Sequence, residues 1–399
     1  MGEEEEKGSP ENQDSCRRRR VEIAGSDTML QPAALERENF LQIMEMETSN
    51  GSIPAEEAHT SLIHGLPDDL ALLCLARVPR TYHHVLKCVS KRWKALLCSD
   101  VWYSCRQNLQ LAESWVYAFC RDSCDCLCIY VLDPSRRCWK HIKDPPIPCM
   151  KRYGMAYAVL ERKLYLLGGC GESEDASDDA YCYDALTDTW EKVASLLVPR
   201  CHFACEALDG CLYAVGGMGL TYESLQTWEI YDPHVNSWQC SSDPSIPSDI
   251  GESAIVNGKM YIRHISPDIV PNSYAAMFDL SDNKWHPVDN EMVMGWRGPA
   301  VVVGGSLYVL DQTSGIKLMT WKEETREWAL VGRLSTLFTK PPCCVAAIGK
   351  RIFVIGKGLN TVVIDTQTAG RIQGIMLCTS IPGLVDFDDL VVSCKTISI

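Results

Sequence analysis

Residues 165–190 read YLLGGCGESEDASDDAYCYDALTDTW. An aromatic sits in an apolar run, the run ends on a glycine pair, and Asp184 stands six residues ahead of Trp190. These anchors recur. The aromatic returns as Tyr213, Tyr261, Tyr308 and Phe353, at spacings of 48, 48, 47 and 45. The Asp–Trp step returns as Asp133/Trp139, Asp232/Trp238 and Asp279/Trp285, and more weakly as Lys322/Trp328 and Asp365/Arg371. A polar or basic residue stands 13 positions before the aromatic at Arg152, Arg200, Ser248 and Lys340, and 11 before it at Arg297. Fixed anchors at such a period mark a repeat architecture.

Each unit holds short alternating or β-branched runs parted by turn residues, which read as strands. The Asp opens a tight turn by bonding to nearby backbone. The Trp closes the hairpin and buries a large ring against the neighbouring unit. Gly168–Gly169 and Gly216–Gly217 let backbones pass closely. Four short strands per unit are the signature of a propeller blade. Full units run near 150–195, 198–243, 246–290, 295–333 and 338–375. The stretch 115–143 lacks only a first strand, and the C-terminal run from Asp389 to Ser393 supplies it, which removes two open edges. The expected fold is mainly β: a six-bladed β-propeller over 106–399, behind a small all-α unit at 61–105 and a disordered tail at 1–60.

The tail carries 14 acids and 6 bases, so most of the net charge of −14 belongs to it. It has few aromatics and two charge runs, the acidic Glu3–Glu6 and the basic Arg17–Arg20. The basic run is a candidate nuclear-import signal beside its plainer reading as a solvated charge cluster. An acidic chain is a poor prior for nucleic-acid or anionic-membrane partners, and none is expected. No apolar run is long enough to span a membrane. The start MGEEEEKG lacks the order of a secretory signal, so the 21 Cys are expected as free thiols in the cytoplasm, the nucleus or both.

In the helical unit Pro67 suits a first helical position, and Asp68 and Asp69 follow where negative charge is favoured. Leu66, Leu70 and Leu73 share a face, and Val78-Pro79 ends the helix. Thr81 and Ser90 are candidate caps, and Val85, Val89, Trp93 and Leu96 or Leu97 recur at helical spacing. About 40 residues are near the lower limit for independent folding, so the leucines need a partner surface.

The run GLPDDLALLCLARVP…VLKCVSKRWKALL (65–97) resembles the F-box, and the Gly-Gly, Tyr-Asp and Trp units resemble kelch repeats. Their order resembles the plant F-box/kelch-repeat family. That resemblance implies a non-catalytic substrate receptor of a cullin-based, SCF-type ubiquitin ligase. The F-box would dock on a Skp-type adaptor, and through it a cullin, while the propeller holds a protein target. By position Leu66, Pro67, Leu70, Leu73, Val78, Pro79, Val89, Trp93 and Leu97 match the adaptor-binding motif, although Trp93 and Leu97 equally suit internal packing. The alternative is a scaffold, for example cytoskeletal, in which the propeller acts alone.

The serine-hydrolase elbow, P-loop, zinc-protease helix motif and dinucleotide fingerprint are absent, so neither catalysis nor a cofactor is expected. Cys124, Cys126 and Cys128 alternate along a candidate strand beside Cys120, Cys138 and His141, which makes tetrahedral closure awkward, and no metal is expected. Arg152, Arg200 and Arg297, at the starts of the innermost strands and with Trp296 beside the last, are candidate contacts for an acidic target segment. The competing reading makes each Arg a structural partner of a blade-turn Asp.

Overall fold

The computed structural model describes residues 61–172, 175–220, 226–246, 250–264, 275–337, 339–367, 378–384 and 389–399. Arg17–Arg20, Ser248, Arg371 and the whole tail lie outside them. The described strands form six four-stranded antiparallel sheets. Blade 1 places Leu390–Ser398 innermost, then Ser114–Arg121, Leu127–Asp133 and Cys138–His141. Blades 2 to 6 begin with the inner strands Ala156–Leu160, Ala204–Leu208, Ile250–Val256, Ala300–Val303 and Cys344–Ile348. Each inner strand touches the next, and that of blade 6 touches the C-terminal strand, which touches that of blade 2. The ring is therefore closed.

The C-terminal strand pairs from Ser114↔Ser398 to Arg121↔Leu390, with a bulge between Phe119 and Cys120. Without it Ser114–Arg121 would offer an unpaired inner edge. Strand pairing alone does not hold neighbouring blades together; that falls to apolar side chains. Tyr165, Phe203, Tyr231 and Trp238 fill the joint of blades 2 and 3. Trp228, Phe278 and Trp285 fill the next. The Phe119 and Tyr157 rings pack in a tilted arrangement at 4.2 Å across blades 1 and 2.

The repeated Asp–Trp step acts as expected. Asp133, Asp184, Asp232 and Asp279 each accept a bond from the backbone N–H two residues on, at 2.7–3.0 Å. The fourth residue after each, Arg137, Asp188, Asn236 and Asn283, has φ between 49° and 59°. One left-handed residue after the turn brings the next strand back in register. The indole N–H of Trp190 donates to Lys143 O at 3.1 Å, and that of Trp238 to Ala194 O at 2.8 Å. Both acceptors lie just beyond the last strand of the preceding blade, so the Trp ties blade to blade. The Gly pair matters sterically: a Cβ on Gly168 would stand 2.3 Å from Arg200 O. Blade 5 lacks the pair, and Gln312 bridges instead through its side-chain amide, with both bonds to the Cys343 backbone at 3.0 Å.

The helices are Asp68–Ala76, His83–Leu86, Lys91–Leu97 and Asp100–Asn108. The last runs past the expected limit at 105. Pro67 stands one place ahead of the first helix, and its carbonyl accepts the Ala71 N–H at 2.9 Å. Ser90 caps the third through Trp93 N–H at 3.1 Å, whereas Thr81 caps nothing and is buried in a short 3-10 turn. From residue 74 onward the helical segment is bound to the propeller rather than hung from a linker. Arg106 donates to Ala76 O, Val78 O, Leu111 O, Ile399 O and the Glu113 carboxylate. Arg80 donates to Ile397 O at 3.2 Å and Tyr117 Oη at 2.8 Å, and lies over the Trp115 ring. Burial, with help from Arg106, lowers the pKa of His83 to about 3. His83 therefore stays neutral and packs edge-on against Trp102 at 5.3 Å.

Ile397 is fully buried on the closing strand, while Val392 on the same strand is 43 % exposed. Truncating Ile397 to Ala is expected to lower unfolding stability by about 2–5 kcal/mol in denaturant titration. Val392→Ala should change it by less than about 0.5 kcal/mol.

Candidate functional site

In an antiparallel blade the inner strand begins on the same side as the second strand ends. The tight Asp turns lie on the other side, and the helical segment packs there: Lys87 Nζ bonds Leu186 O, and Arg162 bridges Asp100 and Asp184. The opposite side opens into a central channel of about 820 Å³. Residues from all six inner strands line it, with Arg121, Tyr153 and His202 at the edge and Glu206, Glu252 and Lys395 deeper.

The channel charges are mutually engaged. The Glu206 carboxylate accepts from Ser253 Oγ at 2.8 Å and Lys395 Nζ at 3.2 Å. Glu252 has its pKa raised to about 7, chiefly by burial; Arg263 and Lys395 pull it down and Glu206 pushes it up. Arg121 donates to Asp125 O, Met150 O and Arg152 O, and its guanidinium lies over the Tyr153 ring. It acts as a clamp on the channel edge. The channel wall thus carries both signs of charge.

Most of the residues proposed from sequence for target binding are engaged elsewhere. Arg200 is fully buried; it contacts Glu229 twice, at 2.8 and 2.9 Å, and also Gly216 O, Thr227 O and Thr227 Oγ1. With its donors engaged inside the protein, it is structural, a correction to its reading as a binding residue. Its partner is a third-strand Glu rather than a turn Asp. Arg152 pairs with Asp179 at 2.8 Å, which Lys192 also bridges, and is only partly exposed. Trp296 is fully buried in the joint of blades 4 and 5, so it does not sit on the rim. Of these four only Arg297 is exposed, with Nε on Met294 O at 2.9 Å.

Of the residues matched to adaptor binding, Pro67, Leu70, Pro79 and Val89 are exposed, Leu70 at 46 % and Val89 at 58 %. Leu66, Leu73, Val78 and Trp93 are half-buried. Leu97 is fully buried and fills the interior, so it is removed from the contact set. Tyr82 and Val85 are about half exposed; Val85 shares the helical spacing of Val89 and Trp93 but stands outside the matched contact set, and Tyr82 belongs to neither.

A family model described as "FKB95, Kelch-repeats domain" matches residues 145–378, and an F-box domain model matches residues 63–104. The chain belongs to the F-box/kelch-repeat family. The F-box/kelch-repeat protein SKIP4 of Arabidopsis thaliana is 47 % identical over 350 residues, covering 86 % of this chain and 96 % of that one. F-box/kelch-repeat proteins At1g67480 and SKIP30, from the same organism, are 29 % and 26 % identical, covering 68 % and 75 % of this chain and 72 % and 84 % of their own. In this F-box/kelch-repeat protein the F-box match ends within the last helix of the segment anchored by Arg80 and Arg106.

Arg200→Met strands the Glu229 charge in the interior and should cost about 3–5 kcal/mol, whereas Arg200→Met with Glu229→Gln, which removes the charge and keeps an acceptor for the Leu197 and Val198 N–H groups, should recover part of it. Denaturant unfolding of both variants checks this. For Glu252, the fold favours the protonated form. Its contribution is complete below the ordinary glutamate range and is lost as pH rises toward about 7. Stability against pH should therefore fall less steeply over that window in Glu252→Gln than in the parent chain.

Proposed function

We propose that this chain is the target-receptor subunit of an SCF-type ubiquitin ligase. Its F-box segment binds a Skp-type adaptor, which connects it to a cullin, and the channel mouth of its propeller holds the protein to be modified. The observation that supports this reading best is exposed apolar surface within the F-box match: Leu70 and Val89 remain about half exposed in the free chain. Such surface costs solubility unless a partner covers it. The anchoring of residues 74–108 to blades 1 and 2 supports it further, because a receptor must hold its target at a defined distance from the ligase. Both proposed compartments, cytoplasm and nucleus, suit the free thiols of the described residues.

Co-purification of the full chain with a Skp-type adaptor tests the reading. The parent chain should be retained, and Leu66→Ala with Leu70→Ala should weaken retention at least about tenfold, consistent with losing buried leucine contacts. Propeller melting should be unchanged. Failure of the parent chain to bind where a control F-box binds would overturn the reading.

A further inference from the structure

Among the described residues, one group of three metal-capable side chains converges: Cys170, Cys201 and His202, whose donor atoms all lie within 4.8 Å of one another. The two thiols are buried and the imidazole is exposed at the channel mouth. We propose that these residues form a binding site for one soft metal ion, Zn2+ or Cu+.

The backbone holds the three in place. Cys170 exchanges hydrogen bonds with Tyr153 at 2.8 and 2.9 Å, and Cys201 with Met218 at 2.8 and 2.9 Å. His202 N–H donates to Gly154 O at 2.8 Å. His202 is left-handed at φ 53°, a costly state for a residue with a side chain, and Gly154 is left-handed at 59°. A Cβ on Gly154 would stand 2.8 Å from the His202 ring, so the glycine makes room for the imidazole. The Met218 side chain packs on the same cluster.

The repeat does not demand these residue types. The position after the glycine pair is Cys170 in one blade and Met218 in the next, and Ile250 stands 48 residues after His202. The donors are therefore particular to this joint. Two thiolates and an imidazole are the ligands that zinc and cuprous copper prefer. Metal–ligand distances of about 2.0–2.3 Å place donors roughly 3.5–3.8 Å apart, a shift of about 1 Å from their present limit. Binding would release the two thiol protons to solvent. Three protein donors leave a fourth position, open to water or to a donor from a bound segment.

The test uses the reduced full-length chain, titrated separately with Zn2+ and Cu+ against a chromophoric chelator. One equivalent of one ion should bind tightly enough to compete. Cys170→Ser with Cys201→Ser should weaken it by about 100-fold or more, and His202→Asn, which keeps a residue suited to the left-handed backbone, by about tenfold or more. Near-UV circular dichroism identifies any variant that has failed to fold, and Co2+ in the parent chain should show a sulfur-to-metal charge-transfer band that the double cysteine variant loses and that His202→Asn shows only at higher Co2+ concentration. The proposal is overturned if neither ion competes. It is also overturned if the equivalent persists in folded variants, which would assign it to other cysteines such as Cys124 and Cys126.

Discussion

The pairing of Leu390–Ser398 with Ser114–Arg121 is the constraint on which the rest of the molecule depends. It joins the two ends of the repeat in one sheet. A ring of blades has no cap, so an open joint would expose one inner edge and the apolar faces of two sheets at once. The joint of blades 1 and 6 buries Val391, Cys394, Phe353 and Trp139 together. The closing strand also holds the helical segment, because Arg80 and Arg106 bond the carbonyls of Ile397 and Ile399. One strand thus completes the channel on one side and holds Arg80 and Arg106 of the helical segment on the other.

That arrangement gives the two sides of the propeller different work. The side of the tight Asp turns is occupied by residues of the helical segment through Lys87, Asp100 and Tyr103. The side where the inner strands begin is open, and its charged groups, Glu206, Glu252 and Lys395, line the channel wall. The proposed receptor role would need this separation, since a partner at one end must not block a target at the other.

The architecture was legible in the sequence because blades repeat: Asp184 and Trp190 do the same job as Asp232 and Trp238, and the offset survives even where the glycine pair is lost. The spare C-terminal strand was legible as the piece missing from 115–143. What the repeat could not reveal was the partner of each charged residue. Arg200 looked available because it stands ahead of an inner strand, yet its acid lies 29 residues on, in a third strand. Trp296 looked like a rim residue, and the short helix Asn290–Gly295 ahead of it turns it inward instead. The binding of the helical segment through Arg80 and Arg106 was hidden because its acceptors are backbone carbonyls up to 317 residues away. Likewise, Cys170 and Cys201 lie 31 residues apart and match no ligand spacing; only the crossing of two loops brings them together.

Hydrogen exchange on the intact chain tests ring closure most directly. If Leu390–Ser398 is an inner strand bonded to Ser114–Arg121, its amides should exchange as slowly as those of Ala204–Leu208 in blade 3. Rapid exchange of the C-terminal segment while the blade 3 strand stays protected would contradict closure, and with it the anchoring of the helices.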